Sequence, residues 1–372
     1  MIKKIAKRFV DYYEFLGFFC LCDNVCVVEN YKENTRTVMS SIIECIRTVG
    51  RGERSRKPLT FEQAYQVMKE YLSGDISNDK MAMLMMLIRV QNETVDEISG
   101  FTTAIREFVR NVQTPELKDL NVDIDWACFA GKRQVQGPSW QLYAAQILAN
   151  KGFRVLIHGH LQLGSTREHV SQVIDKLNIP SCTSIVETQK ALDEGNIAYL
   201  PLSVYAPQVE TMLLWQHEYG LRTPANTCAR MLNPASAPIS LRGSFHPGLP
   251  QLHGEAESRL QQATDDCSEL ALCFKGMGGE SEFNPKVSQS LWCASKGVCE
   301  ELYWEEALIE DLPVPQSCLL GTKSEQLQLM ANTVIFNVAN VLWANKRAEN
   351  YAREEAIKVA TQYWEEYVKT IA

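Results

Sequence analysis

Hydrophobic and polar positions along this chain fall into a helical regime followed by an alternating one. Thr60 and Gln63 form a T-x-x-Q capping box ahead of Ala64, Val67, Met68, Tyr71 and Leu72, whose spacing makes one apolar face, and Ser73-Gly74 ends the run. The second helix is predicted over about 78–91 behind Ser77. It is apolar nearly all round (MAMLMMLIRV), the signature of a helix buried between neighbours. Thr94 and Glu97 make another capping box, and the third helix turns Ile98, Phe101, Ile105, Phe108 and Val109 inward. Gly100 in its interior costs about 1 kcal/mol against alanine, which predicts close helix packing there.

Beyond Pro115 the pattern changes to short β-rich runs between helices. Strands are predicted at 122–129 (VDIDWACF), 153–160 (FRVLIHGH), 197–203 (IAYLPLS) and 269–276 (ELALCFKG). Helices are predicted over about 139–151, 166–177 and 333–343. A last amphipathic helix over about 346–371 places Ala352, Ala356, Ala360, Tyr363, Tyr367 and Ile371 on one face. This alternation predicts a mostly parallel sheet flanked by helices.

Composition narrows the class. The 372 residues are 45% hydrophobic and 22% charged, which excludes wholesale disorder and a polytopic membrane protein. The net charge of -8 excludes a uniformly basic surface but not a local basic strip. Twelve cysteines contain no C-x-x-C pair, and the cluster Cys20, Cys22, Cys26 has no second cluster to complete a zinc site. Unpaired thiols in this number point to a reducing cytoplasm.

Residues 1–38 read differently. Lys3, Lys4, Lys7 and Arg8 precede an apolar stretch that Asp11, Glu14, Asp23 and Asn24 interrupt, so neither a signal peptide nor a membrane span is expected. Met39 then opens MSSIIECIRTVGRG like a natural start, and 1–38 is read as a poorly integrated extension. The next segment concentrates positive charge: Arg47, Arg51, Arg54, Arg56 and Lys57 stand against only Glu44 and Glu53. Two readings are open, a solvated linker or a phosphate-contacting strip.

The stretch from Leu59 to Val109, with its step Glu93, Thr94, Glu97, Ile98, Gly100 and Phe101, resembles the helical domain of glycosyltransferase family 3. That group contains anthranilate phosphoribosyltransferases and pyrimidine nucleoside phosphorylases. The resemblance continues through RVLIHGH, YGLRTPANTCARMLNPA (219–235) and VIFNVANVLW (334–343), covering about 58–345. It implies a small all-α domain (39–113, joined by about 205–228), a larger α/β domain (114–204 and 229–345), a C-terminal helix (346–372), and a homodimer formed through the helical domain.

The family's catalytic positions are where this chain departs. Its Gly-Thr-Gly-Gly-Asp loop, whose glycines let backbone N–H groups approach pyrophosphate, becomes Cys128-Phe129-Ala130-Gly131-Lys132-Arg133-Gln134. The resemblance leaves Lys132 and Arg133 there to attract phosphate. Lys-His-Gly-Asn-Arg becomes Ile157-His158-Gly159-His160-Leu161, the substrate-anchoring Arg falls on Gln216, and a family His falls on Ala206. The metal-binding Asp-Glu pair is replaced by Glu280 and Glu282 one residue apart, a displaced Mg2+ site at most. These losses together point away from ordinary anthranilate phosphoribosyl transfer.

The lead-in IRTVGRGERSRKPLT, with AGKRQ, GSTREHVSQVIDKLNIP and the FNP after Glu282, resembles the YbiB-like branch, whose members are described as nucleic-acid-binding dimers. That resemblance implies a homodimer binding single-stranded DNA or RNA, with no membrane partner and no required cofactor. The implied groove holds Arg47, Arg51, Arg54, Arg56, Lys57, Lys132 and Arg133, beside a cleft of Gly131, His158, Gly159, His160, Gln216, Arg222 and Arg230. Trp140 and His160 are candidates to stack on a base, with core packing preferred for Trp140. The alternative is a glycosyl or phosphoribosyl transferase with an altered site and an aromatic or nitrogenous acceptor, which alone would need Mg2+.

Overall fold

A computed structural model describes residues 41–162, 165–264, 268–316, 318 and 320–371. The proposed extension 1–38 lies outside the described residues. The described residues begin with four helices: α1 (Ser41–Val49), α2 (Phe61–Leu72), α3 (Asn78–Gln91) and α4 (Val95–Phe108). Both capping boxes form, with the Thr60 and Thr94 hydroxyls accepting from Gln63 N and Glu97 N. Gly100 does permit the close approach its position suggested: a Cβ there would lie 2.4 Å from the Phe61 carbonyl oxygen. The reading of α3 as apolar all round needs correction. Met81, Leu84, Met85 and Ile88 are buried, but Met83 and Val90 are 56% and 73% exposed.

The sheet is built from β1 (Ile124–Cys128), β2 (Val155–Gly159), β3 (Ile197–Pro201), β4 (Ile239–Ser244), β5 (Leu270–Lys275), β6 (Gln289–Ser295) and β7 (Val298–Trp304). Its order is β3-β2-β1-β4-β5-β6-β7. The first five strands are parallel, and β6 and β7 extend the edge as an antiparallel hairpin. The 139–151 helix is α5 (Gln141–Asn150), the return to β3 is α6 (Ile185–Gly195), and two further helices follow, α7 (Pro207–Tyr219) and α8 (Pro224–Arg230). Then come α9 (Leu249–Ala263), α10 (Leu327–Lys346) and α11 (Arg353–Ile371).

One predicted helix is absent. Over 166–177 the chain makes two short 3₁₀ turns, Val170–Gln172 and Ile174–Leu177, instead of one α-helix. A β-bridge holds Glu168 extended against Lys132, and Val170, Val173 and Ile174 are β-branched, so helix can neither start early nor propagate well. Val170, Val173, Ile174 and Leu177 are nonetheless buried.

Buried charge joins the helices to the sheet. Glu257 on α9 pairs with Arg106 on α4 and Arg242 on β4, each at 2.9 Å. Burial alone would push the Glu257 carboxyl up, but the two guanidiniums hold it down at about 2. Residues 205–228 meet the helical layer through Tyr71 against Trp215, with ring centroids 6.1 Å apart, and through Thr227 Oγ1 donating to Glu93.

Candidate functional site

The loop after β1 turns sharply at Gly131 (φ +66), where a Cβ would sit 2.9 Å from both Arg167 Cβ and His169 Nε2. The turn aims the backbone N–H groups of Ala130 and Gly131 at one point, and Glu280 Oε1 accepts from both, at 2.8 Å from Ala130 N. Burial raises the Glu280 carboxyl above the usual carboxylate range, against the pull of those amides and of Arg230. A carboxylate of the protein itself thus occupies the amide pair.

Lys132 does not face a groove, contrary to the sequence reading. Its side chain is 1% exposed, with Nζ donating to Glu282 and to the Pro138 carbonyl and lying 4.5 Å from the Trp140 ring centroid. Glu282 also accepts from Gln141 N at 3.0 Å, fixing the start of α5. Burial lowers Lys132 and raises Glu282, and their mutual attraction opposes both shifts. The displaced metal site at Glu280 and Glu282 is likewise corrected, because Glu280 Oε1 and both oxygens of Glu282 are committed to the protein's own donors. Among the described residues no group of three or more His, Cys, Asp or Glu side chains is placed to hold a metal. These residues do not fit a Mg2+-pyrophosphate group. Trp140 is buried, with Nε1 donating to Thr322, so it packs rather than stacks on a ligand.

The His-Gly-His end of β2 is also structural. His158 is fully buried, with Nδ1 2.7 Å from the Tyr205 hydroxyl and Nε2 2.9 Å from Asp125 Oδ1, so it does not line a cleft. Asp125 in turn accepts from Ser240 at 2.6 Å. Gly159 is required because a Cβ there would meet the Cys128 carbonyl oxygen at 2.2 Å. His160 is buried with Nδ1 3.1 Å from Glu210 on α7, which removes it as a base-stacking ring.

Arginines gather beside this loop. Gln216 and Arg222 are brought together, with Arg222 Nε donating to Gln216 Oε1 at 3.3 Å. Arg167, not singled out from sequence, donates to the Gly278 and Gly131 carbonyls at 2.9 and 3.2 Å. Arg230, at the end of α8, donates to the Asn226 carbonyl at 2.6 Å and is pushed down to about 10 by burial and then by Arg222. Arg222 is lowered by burial and then by Arg167, and Arg167 by burial and then by exposed Arg133. Burial is the larger cause in each case, and Glu280 offsets part of the repulsion.

A cavity of about 560 Å³ opens next to these arginines. The α3–α4 turn supplies Asn92 and Glu93, α8 supplies Asn226 and Arg230, and the β4–α9 loop supplies 244–249. Besides Thr223 Oγ1, two buried polar atoms on its lining, Ser244 Oγ and His253 Nδ1, have no hydrogen-bond partner. Sequence reasoning missed both, since neither sits in a recognisable motif.

Arg47, Arg51, Arg54, Arg56 and Lys57 are all exposed. Their loop is pinned at both ends to the α3–α4 turn: Gln91 Nε2 donates to the Val49 carbonyl, and Leu59 N donates to Glu97 at 2.9 Å. The same turn carries Asn92 and Glu93 of the cavity, so strip and cavity share one structural element.

Known proteins agree with this architecture. Residues 43–109 match the family described as glycosyl transferase family, helical bundle domain. The chain is 29% identical over 241 residues to anthranilate phosphoribosyltransferase of Stenotrophomonas maltophilia (strain K279a), covering 63% of this chain and 67% of that one. It is 26% identical over 312 residues to the Geobacillus kaustophilus enzyme of the same name, covering 82% and 87%. Among solved structures, anthranilate phosphoribosyltransferase from Thermus thermophilus superposes with a TM-score of 0.64 at 20% identity, over 88% of this chain and 95% of that one. The Saccharomyces cerevisiae enzyme in complex with PRPP and Mg gives 0.61 at 13% identity, over 89% and 99%. Residues 43–109 are therefore similar to the glycosyl transferase family helical bundle domain, and the chain shares the fold of the anthranilate phosphoribosyltransferases.

Proposed function

We propose that this protein uses a transferase fold to bind single-stranded DNA or RNA without sequence preference, as a homodimer in a reducing cytoplasm, and does not transfer phosphoribosyl groups. The observation that carries the reading is the self-occupied loop after β1, where Glu280 takes the Ala130 and Gly131 amides and Glu282 takes Lys132. A donor with a pyrophosphate group would have to displace both carboxylates.

Exposed Arg47, Arg51, Arg54, Arg56, Lys57 and Arg133 support the binding half of the reading. Five phosphate contacts on a single strand give a slope of log affinity on log salt of about -3.5, a loss of about 100-fold from about 50 to about 200 mM salt. The reading expects Arg54→Glu with Arg56→Glu to weaken binding equally for unrelated sequences, measured by fluorescence anisotropy. Sequence-dependent losses, or none, count against it. For compartment, the described cysteines are all free thiols, and in the helix from Ser324 to Lys346, apolar enough to cross a membrane, the most apolar stretch is 83% buried in the fold.

The cavity favours a second reading, a glycosyl or phosphoribosyl transferase with an altered site and an aromatic or nitrogenous acceptor, because arginines and unpartnered polar atoms line it. Calorimetric titration with phosphoribosyl pyrophosphate and Mg2+ decides between them. Saturable heat supports the transferase, and no heat at millimolar ligand removes it.

A further inference from the structure

The cavity beside α8 has two kinds of lining. Arg222, Arg230 and Arg89 make one part cationic. Phe245, 46% exposed, stands edge-on to His246 at 5.4 Å, and with Leu249 and Leu252 makes another part apolar and aromatic. Glu93 is the one carboxylate among the described lining residues, and the Thr227 hydroxyl already donates to it at 3.1 Å. Thr223 Oγ1, Ser244 Oγ and His253 Nδ1 are buried and lack partners. Buried polar atoms are almost always satisfied, so three orphans lining one cavity point to a ligand that pairs with them.

The chemistry of that ligand follows from the walls. Clustered guanidiniums prefer a dense anion, and a phosphomonoester near neutral pH carries close to two charges where a backbone diester carries one. A flat ring suits Phe245, and about 560 Å³ lies in the range of small-molecule sites.

We propose that this cavity binds a nucleoside phosphomonoester, its phosphate among Arg222, Arg230 and Ser244 and its base against Phe245. Two sources present that group, a free mononucleotide and the phosphorylated end of a strand. The strand-end form rests on the nucleic-acid reading above, and the mononucleotide form does not.

The test titrates the full chain calorimetrically with UMP, uridine and inorganic phosphate. In parallel, it measures anisotropy of one short oligonucleotide bearing a terminal phosphate or a hydroxyl. UMP binds, and uridine and phosphate each bind at least about tenfold more weakly, the yield of one charge-assisted hydrogen bond. Arg230→Met weakens UMP by a similar factor. Phe245→Ala, a change at an exposed ring that leaves the core intact, weakens UMP without altering inorganic phosphate. A terminal phosphate that tightens the oligonucleotide about tenfold identifies strand ends as the source, whereas UMP binding with no end preference identifies the free mononucleotide. Absence of heat from UMP overturns the proposal, and salt-dependent oligonucleotide binding in that same experiment leaves the strip reading standing.

Discussion

Removing the carboxylate that fills the loop after β1 should make the protein both weaker and newly responsive to anions. Glu280→Ala deletes the acceptor shared by the Ala130 and Gly131 amides and leaves Arg230, Arg222 and Arg167 without their common counter-charge. Two charge-assisted hydrogen bonds contribute about 1.5–3 kcal/mol each, and breaking a buried charge cluster from one side typically costs about 3–5 kcal/mol. We therefore expect a loss of about 4 kcal/mol, read by urea denaturation. The vacated amides and arginines then form an anion site. At a concentration about 100 times its dissociation constant, pyrophosphate returns about 2.7 kcal/mol. The assay compares melting temperatures in pyrophosphate and in chloride at equal ionic strength. Glu280→Ala should gain several degrees more than wild type. Equal stability of the two proteins, or an equal pyrophosphate response in both, would refute the self-occupied loop.

Other expectations follow from packing and charge. Gly100→Ala should cost about 1–3 kcal/mol in urea denaturation although alanine favours helix, because its Cβ would lie 2.4 Å from the Phe61 carbonyl oxygen and 2.8 Å from Ala64 Cβ. No loss would mean that α2 and α4 are less closely packed. Arg106 and Arg242 hold the folded Glu257 carboxyl below its unfolded value, so the stabilisation it contributes is present above the unfolded pKa and is lost as pH falls toward about 2. Stability measured against pH should drop across that acidic window, and Glu257→Gln should flatten the drop. Gly159→Ala should disturb β1–β2 pairing, visible as lost amide protection in both strands, since its Cβ would meet the Cys128 carbonyl at 2.2 Å.

Sequence carried the local signals well and the long-range partners poorly. The capped helices α2 and α4 were legible because Thr60 with Gln63, and Thr94 with Glu97, lie three residues apart. Four of the five parallel strands were legible as apolar runs, whereas β4 went unread because Ser240 and Arg242 interrupt its apolar positions. The β6–β7 hairpin went unread, although Lys296 and Gly297 (φ +50 and +76) form a left-handed two-residue turn, because exposed Glu300 and Glu301 make β7 look like loop. The helix expected over 166–177 failed for a non-local reason, the bridge from Lys132 to Glu168. Lys132 looked like a phosphate contact for the same cause: its partner Glu282 lies 150 residues away in sequence. The exposed strip 47–57 needed no partner to be recognised, whereas Glu280 as the occupant of two amides could be found only in the fold.

The central claim is that phosphate is bound on the outer strip and not in the loop after β1. The most direct measurement titrates one preparation of the full chain with single-stranded oligonucleotide across a salt series and with phosphoribosyl pyrophosphate plus Mg2+. The account predicts oligonucleotide affinity falling with a log-log slope of about -3.5 and no heat from phosphoribosyl pyrophosphate. Saturable heat from phosphoribosyl pyrophosphate, with oligonucleotide binding absent or insensitive to salt, would contradict it.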